Sequence, residues 1–256
     1  MRGVSALHFG VLESTNKTLR ELIDRGEELN NMFCVTASYQ ESGRGQYGNS
    51  WESERGKNLL ASILYKPMPE IDVAQQFYVS MAVSEGVCLA IQLLTEGRVK
   101  AEVKWPNDIY VGDKKLCGIL IENLLFGRNI RKSIIGVGLN VNQVEFRSDA
   151  PNPVSLSQIC EGAEFSMTDV KEAVRGAISV MLMRLDSGQH ERLREDYKSL
   201  LYWGDGELHP FSDSEGEFKA KIVDVLEDGH LVLEDEGGQT RRYLFKEVSF
   251  EIPAAR

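Results

Sequence analysis

The sequence predicts an α+β protein, with a mixed β-sheet and helices in a body that ends near residue 203, followed by a small β domain. The body combines helical periodicities with β-rich runs that are separated by hairpin turns. After residue 203 only short β-rich runs remain, and Asp228-Gly229 and Gly237-Gly238 supply tight turns between them. With 256 residues, the chain can bury one substantial core and a small satellite domain. We therefore expect domains at residues 1–203 and 204–256.

Four segments of the body have the pattern of amphipathic helices. In the first, Ser14-Thr15-Asn16 is an N-cap signal, Leu19, Leu22 and Ile23 supply the helical period, and Gly26 ends the pattern. The other three patterns cover residues 71–96, 167–185 and 190–201.

The β-rich runs of the body cover residues 32–39, 58–65, 101–105, 109–111, 115–123 and 130–141. The turn sequences at residues 105–108 and 112–114 separate three of these runs, which is typical of hairpins. The runs of the tail cover residues 218–226, 230–234 and 240–245. Residues 142–154 carry Pro151 and Pro153 and few apolar positions, which predicts a mobile loop.

The composition argues against several classes of protein. A hydrophobic fraction of 42% with 27% charged residues is ordinary for a globular chain and not for a disordered one. The net charge of −10, without a dense Lys/Arg stripe, argues against a nucleic-acid surface. No apolar run has the length of a membrane span, and the N-terminus lacks the apolar stretch of a signal peptide. The four cysteines form no Cys-x-x-Cys pair, so we expect reduced thiols and a cytoplasmic protein without nucleic-acid or membrane partners.

Residues 43–51 form a glycine-rich loop of the kind that holds an anion. Gly43, Gly45 and Gly48 let backbone N–H groups approach an anionic ligand, and Arg44 adds a charged donor fork. A dinucleotide fingerprint would need a following helix and an acidic residue about 20 positions on, and a Walker A loop would need a lysine after the last glycine. Neither pattern is met, and the downstream motifs of a protein kinase are also missing. The loop between two β-rich runs therefore predicts another kind of anion site.

Charged and glycine-rich positions in the later strands add candidate site residues. Lys115 begins an apolar run, so it is either a lysine that faces a bound anion or a solvated turn residue. Asp108 is either a plain turn aspartate or a ligand for Mg²⁺ together with phosphate oxygens. The segment Gly136-x-Gly138-x-Asn140 is typical of a strand that a ligand approaches closely, or of a bulge. Cys117 should share a strand face with Lys115, but no histidine lies near it in sequence, which favours a buried inert thiol.

Five motifs occur in one order along the chain, and together they resemble the biotin protein ligases. They are Ser14-Thr15-Asn16, the Gly43-Arg44-Gly45 loop that ends in Trp51, Lys104-Trp105-Pro106-Asn107-Asp108, Lys115-Leu116-x-Gly118-Ile119-Leu120 and Gly136-x-Gly138-x-Asn140. The resemblance runs from residue 14 to about residue 200. It implies a class II synthetase-like catalytic domain of the biotin/lipoate ligase type, followed by a small SH3-like β-barrel. Only 13 residues precede Ser14, so we expect a single-function ligase without the winged-helix DNA-binding domain of the bifunctional members.

The resemblance also implies a role for each matching position. Lys115, Arg44 and Asp108 would be the catalytic residues, with Lys115 between the biotin carboxylate and the α-phosphate of ATP. The biotin pocket would be formed by Ser14, Thr15, Asn16, Gln40, Arg44, Gly45, Gln46, Lys115, Gly118 and Leu120. ATP would be bound by Gly43, Trp51, Lys104, Asn107 and Asn140, and Mg²⁺ by Asp108 and Asn140. Gln46 and Asn49 stand where better-known bacterial members have arginines, so loop order and retention of the intermediate are expected to differ.

The implied reaction is a two-step acyl transfer. The biotin carboxylate attacks the α-phosphorus of ATP, pyrophosphate leaves, and a lysine of a biotin carrier domain then attacks biotinyl-5′-AMP and releases AMP. The glycine loop and residues 142–154 are expected to close over the anhydride and exclude water. We expect the enzyme to act as a monomer or weak homodimer.

Two other functions stay open at this point. A lipoate-protein ligase or octanoyl transferase would share the fold. Members of that group resemble one another in an Arg-x-x-Gly-Gly stretch, which is absent here. The octanoyl transferases also use a cysteine nucleophile, for which Cys117 is a poor candidate. A non-catalytic sensor of biotin or its adenylate would not need Lys115, Asp108 and the glycine loop together.

Overall fold

The computed structural model describes residues 5–43, 45, 50–147 and 152–252, and two β-sheets organise this part of the chain. The strands of the larger sheet are β1 (Ala6–Phe9), β2 (Cys34–Ala37), β3 (Asn58–Tyr65), β4 (Ile71–Asp72), β5 (Glu102–Lys104), β6 (Asp108–Val111), β7 (Lys114–Phe126) and β8 (Asn129–Asn140). Their order is β1-β2-β3-β8-β7-β6-β5, and β4 also pairs with β8. β1 and β2 are parallel while β2, β3, β8, β7, β6 and β5 pair antiparallel, so the sheet is mixed, as predicted.

The helices cover the sheet unequally. They are α1 (Thr15–Asp24), α2 (Phe77–Leu94), α3 (Leu156–Ile159), α4 (Met167–Asp186) and α5 (His190–Ser199). α2 packs against α4 and α5 and occupies the centre of the main core. The segment Val73–Leu94 has the length and hydropathy of a membrane span, but 72% of it is buried inside the protein, as expected for a core helix.

The opposite face of the sheet carries α1 and a smaller core, and this face also provides the space for a cleft. Strand side chains alternate between faces, so Leu64 and Ile134 contribute to the core under α1. Two residues away on the same face of the sheet, the next pair across β3 and β8 is Ser62 and Gly136. Gly138 follows after two more residues. The apolar layer therefore ends where small and polar residues begin, beside the N-terminus of α1.

The second sheet is antiparallel and lies at the C-terminal end of the chain. Its strands are β9 (His209–Asp213), β10 (Gly216–Val225), β11 (Leu231–Asp235), β12 (Thr240–Tyr243) and β13 (Ser249–Phe250), in the order β12-β11-β10-β9-β13. The arrangement fits a small barrel domain. Its core is continuous with the main core, and Trp105 donates a hydrogen bond of 3.0 Å from Nε1 to the carbonyl of Gly229. Asp224 pairs with Arg194 of α5. These contacts attach the small domain to the body.

Most predicted elements are confirmed, and the differences have local causes. The predicted helix over residues 71–96 is wrong at its start, because β4 pairs with β8 and Asp72 caps a 3-10 turn through the backbone N–H of Ala74 at 2.9 Å. Short elements were not predicted, namely β1, α3, β9 and β13. Each of these has five residues or fewer. β1 and β13 pair with strands that lie far away in sequence, and all four elements are too short for local periodicity to give much signal.

A cluster of three ionisable side chains, of which Glu85 is buried, joins the helices of the main core. Glu85 of α2 is 4% exposed and lies 3.4 Å from Nη1 of Arg184 on α4, while Nη2 of Arg184 lies 2.6 Å from Asp196 on α5. Burial raises the pKa of Glu85 to about 8, with Arg184 opposing this rise and Asp196 adding to it. The ionised form of Glu85 is therefore disfavoured in the folded protein at neutral pH.

We expect Glu85→Gln to stabilise the protein more at pH 9 than at pH 5. A carboxyl whose pKa is raised on folding stabilises the fold below its unfolded pKa, and this contribution is lost as the pH rises through about 8. The amide of the variant cannot ionise, so its free energy of unfolding should not fall in this pH range. The resulting difference between the two proteins should be roughly a few kcal/mol at most. The measurement is chemical unfolding of both proteins at several pH values. A difference in stability that is the same at pH 5 and pH 9 would contradict the raised pKa.

Candidate active site

One end of the cleft is a cluster of polar side chains at the start of α1. The backbone N–H of Thr15 donates to Oε1 of Gln40 at 2.7 Å, and Oγ1 of Thr15 lies 3.0 Å from the same oxygen. Asn16 follows on the helix, and its Nδ2 lies 3.4 Å from the carbonyl of Leu120. Ser14 is the N-cap residue and makes no side-chain capping bond. The side chain of this residue is therefore available to the cleft, which it lines.

The floor of the cleft consists of strand glycines, and Trp51 lies on them. A Cβ at Gly118 would be 2.9 Å from Cζ3 of the indole, and a Cβ at Gly138 would be 2.6 Å from Cε2. A Cβ at Gly136 would be 2.5 Å from Oδ1 of Asn16. Larger residues at these positions would displace the side chains above them. The glycine-interrupted strand is thus a place of close approach, one of the two predicted interpretations, with β7 and β8 in regular register here.

The other end of the cleft carries charge. Nζ of Lys115 lies 2.6 Å from Oδ2 of Asp108, and both side chains are about one-quarter exposed at 24% and 23%. The backbone of Lys115 is held on both sides, because its N–H donates to the carbonyl of Asn152 at 2.8 Å and its carbonyl accepts from Val154 at 2.9 Å. Nζ also lies 5.8 Å from the centre of the Trp51 ring. Lys115 is therefore a positioned lysine in the cleft, rather than a turn residue in solvent.

Lys104 lies behind this charged pair. Its Nζ is 4.7 Å from the ring centre of Phe250 and 5.6 Å from that of Tyr110. Burial lowers the pKa of Lys104, with Asp108 opposing this effect and Lys115 adding to it. Because Lys104 pairs with Asp108 across β5 and β6, its charge contributes to the electrostatics of the pair without lining the cleft.

The prediction that Cys117 shares a face with Lys115 is wrong. Ile109 pairs with Cys117 while the next residue, Tyr110, pairs with Lys115, so β7 contains an extra residue at this point. Such a bulge changes the side-chain alternation. Cys117 is fully buried in the main core, and burial raises the pKa of its thiol well above the usual range. The prediction that Cys117 is a buried thiol is confirmed, and the raised pKa favours the unreactive thiol form.

The cleft brings together most of the predicted site residues and encloses about 710 Å³ of space free of protein atoms, including its open mouth. The predicted residues that line it are Ser14, Thr15, Asn16, Gln40, Gly45, Trp51, Asn107, Asp108, Lys115, Gly118 and Leu120. Gly43 lies behind Trp51 and accepts its backbone N–H at 2.9 Å. Arg44 and Gln46, and also Gly48 and Asn49, lie outside the described residues.

Two further observations concern hydrogen-bonding groups near the cleft. Asn107 donates from Nδ2 to the carbonyl of Ile119, which ties the turn before β6 to β7. Asn140 is buried and donates to the carbonyl of Val154 at 3.0 Å, whereas its Oδ1 is buried and has no hydrogen-bond partner among the residues described. Nε1 of Trp51 is likewise buried without a partner in this part of the chain. Both atoms lack solvent-accessible surface, so a ligand could reach them only after a local rearrangement.

Sequence reasoning missed several contributors to the site, including Phe245 and Ser62. Phe245, from the small C-terminal domain, lines the cleft, and nothing local in the sequence indicates this. Ser62 of β3 lies directly beneath Thr15 and Asn16. Its signal was a single serine in the middle of the apolar run at residues 58–65.

Comparison with known proteins agrees with this geometry. The model of the biotin/lipoate A/B protein ligase family matches residues 9–140, which include the polar end, the glycine floor and the charged pair. The chain belongs to this family. One curated relative is the bifunctional ligase/repressor BirA of Bacillus subtilis. Its sequence is 26% identical to this chain over 249 residues, which cover 94% of this chain and 73% of the relative. The biotin--[acetyl-CoA-carboxylase] ligase of Paracoccus denitrificans is 27% identical over 133 residues, or 51% of this chain and 53% of that protein.

A solved structure extends the similarity over the whole fold. The biotin protein ligase from Aquifex aeolicus, in complex with biotin and ATP, has a TM-score of 0.78 and 26% sequence identity. The similarity covers 97% of this chain and 99% of that one. The predicted fold class, an α+β body of the biotin/lipoate ligase type with a small β-barrel, is therefore confirmed.

Proposed function

We propose that this protein is an ATP-dependent biotin–protein ligase, which forms biotinyl-5′-AMP and transfers biotin to a lysine of a carrier domain. The observation that carries the proposal is a single cleft whose two ends differ in chemistry. One end presents the hydroxyl and amide groups around Thr15, and the other presents the Lys115–Asp108 pair. The glycine floor lies between them, along roughly 7 Å of strand. This arrangement suits a ligand with a polar head, a short chain and a carboxylate.

The polar end favours biotin over lipoate or octanoate. Ser14, Thr15 and Asn16 are each 5% exposed or less. An apolar chain or a dithiolane ring would cover these groups without offering hydrogen bonds, and buried polar groups left unpaired cost about 1–3 kcal/mol each. A cyclic urea, by contrast, offers both N–H donors and a carbonyl acceptor. The lipoate-ligase and octanoyl-transferase alternatives are not favoured.

In the first step, an oxygen of the biotin carboxylate forms a bond to the α-phosphorus of ATP, and the bond to the departing pyrophosphate breaks. Lys115 carries the positive charge that stabilises the oxygens on which negative charge develops. The ammonium is held by Asp108 in a position that faces the cleft. We assign Arg44 to the same step and Gln46 to the biotin pocket on the basis of the resemblance alone.

We further propose that Mg²⁺ accompanies ATP and is held at Asp108 and Asn140. The unpaired Oδ1 of Asn140 and the partly exposed carboxylate of Asp108 are the oxygen donors that Mg²⁺ prefers. Asp108 pairs with Gly118, which pairs with Gly138, and Asn140 lies two residues beyond Gly138. Two strand spacings of roughly 10 Å in total, and roughly 7 Å more along β8, therefore separate Asp108 from Asn140. A Mg²⁺–triphosphate can span that separation better than a single ion. The group would supply charge neutralisation at the phosphates.

In the second step, a carrier lysine amine forms an amide bond with the biotinyl carbonyl, AMP departs, and the amine loses a proton. We propose a biotin carrier domain as the partner and a monomer or weak homodimer as the working form. The domain boundary near residue 203 is part of the proposal, and Phe245 gives the small domain a place at the cleft. Free thiols at Cys34, Cys88 and Cys117 support a cytoplasmic location.

Biotin-dependent exchange of pyrophosphate into ATP tests the proposed function. We expect exchange with biotin, and little with lipoate or octanoate at equal concentration. Adding a biotin carrier domain should then give a biotinylated lysine and release AMP. Exchange with lipoate but not with biotin would overturn the proposal, and binding of biotin without any exchange would favour the sensor.

A further inference from the structure

Ser62 is a buried polar residue that the reaction as described leaves without a role. It lies in β3 with no exposed surface. Its Oγ is 2.8 Å from Oγ1 of Thr15 and 2.5 Å from Oδ1 of Asn16. Thr15 in turn contacts Oε1 of Gln40 at 3.0 Å. The four side chains therefore form a chain of oxygens, in the order Gln40, Thr15, Ser62 and Asn16.

The identity of the two amide oxygens follows from their other contacts. The backbone N–H of Thr15 can only donate, so the Gln40 atom that it meets at 2.7 Å is an acceptor oxygen. The carbonyl of Leu120 can only accept, which places Nδ2 of Asn16 toward it and Oδ1 toward Ser62. Both ends of the chain of oxygens are thus acceptors.

This chain of oxygens has one proton fewer than it has oxygen–oxygen contacts. It has three oxygen–oxygen contacts, and each hydroxyl supplies one proton, so Thr15 and Ser62 can form two of the three hydrogen bonds. If Thr15 donates to Gln40 and Ser62 donates to Asn16, the contact between the two hydroxyls has no proton. A ligand N–H supplies a further donor at a terminal acceptor such as Oδ1 of Asn16, and the Ser62 hydroxyl can then donate to Thr15 instead. The array therefore gains from a ligand with an N–H donor.

We propose that Ser62 is a positioning residue for recognition of the ligand head group. It acts through Thr15 and Asn16, and it makes the polar end of the cleft deficient in donors. This deficiency selects a head group with N–H groups, such as a cyclic urea, over an apolar or sulfur-containing ring. The inference rests on the proposed function, since it concerns the biotin end of the same cleft. Without Ser62, the hydroxyl of Thr15 and the carboxamide of Asn16 lose the shared partner that orients them, so their oxygens are no longer held toward the ligand N–H groups.

The test compares Ser62→Ala with wild type in biotin binding and adenylation. We expect Ser62→Ala to raise the Kd and KM for biotin by about 10–100-fold. The KM for ATP and the rate at saturating biotin should change less than about 2-fold, because the hydroxyl does not reach the charged end. Ser62→Cys, which keeps a weak donor of similar shape, should fall between the two. Ser84→Ala is the matched control, because Ser84 is also buried, on α2, where it lines no part of the cleft.

A second measurement uses the wild-type protein alone, so it does not depend on the folding of a variant. Biotin analogues with one or the other ureido nitrogen methylated should bind at least about 10-fold more weakly than biotin. Binding of both analogues as tightly as biotin would overturn the donor deficiency. Unchanged biotin affinity in folded Ser62→Ala, or equal changes in the biotin and ATP parameters, would overturn the role of Ser62. Absence of biotin-dependent exchange in wild type would instead overturn the proposed function.

Discussion

Lys115→Ala is expected to lower the rate of biotin adenylation by about 10²–10³-fold, by analogy with loss of a donor that acts on developing negative charge. The lysine is positioned for this role, since its Nζ contacts Asp108 at 2.6 Å and its backbone is hydrogen-bonded to residues 152 and 154. Removing the side chain leaves those backbone bonds in place. It also leaves Asp108 partly exposed to water, so the fold should tolerate the change. Single-turnover formation of biotinyl-5′-AMP is the measurement.

The adjacent residue provides the control for this variant. Lys114 is exposed, and Lys114→Ala removes the same net charge one residue away. We expect it to adenylate biotin at nearly the wild-type rate, which would separate a positioned charge from a general electrostatic effect. Lys115→Ala protein that is folded and adenylates biotin normally would remove Lys115 from the chemistry. Equal losses in both variants would point to net charge instead.

The elements that sequence could predict are those whose signals are local. β3 was predicted over residues 58–65 and has these bounds, because eight consecutive positions are buried. α1 was predicted from its cap and apolar period, which depend only on neighbouring residues. β1 and β13 have four and two residues and exist because of their partners β2 and β9, so their own sequences indicate little. Their formation depends on tertiary contacts.

The candidate site shows the same division. Lys115 and Asp108 were singled out from residue type and position, and the hairpin between β6 and β7 brings them together. The face assigned to Cys117 was wrong because a single bulge, invisible to a two-residue period, lies between the two residues. Ser62 was missed because a lone serine in a strand has no distinctive pattern. Its importance comes from the neighbours that α1 places above it.

Gly138→Ala is expected to reduce kcat/KM for biotin by about 10–100-fold, which corresponds to the cost of overpacking a well-filled site. The added Cβ would lie 2.6 Å from Cε2 and 2.8 Å from Nε1 of Trp51, distances at which the indole must move. The indole covers the floor between the polar and charged ends, so its displacement changes the channel that the biotin chain would follow. The free energy of unfolding should fall by a smaller proportion than kcat/KM, because Ala loses less backbone entropy than Gly when a strand forms.

Two comparisons establish whether the indole is responsible. Gly176→Ala in α4 adds the same methyl group where, among the described residues, no atom outside the adjoining turns of the helix lies within 4 Å. It should therefore leave biotin use unchanged and stabilise the helix slightly. In a Trp51→Ala background, the ring that Gly138→Ala would strike is gone, and the second substitution should then have a much smaller effect. Residues in direct contact are expected to be non-additive in this way. Full additivity of Trp51→Ala and Gly138→Ala in kcat/KM would show that the methyl group acts on something other than the indole.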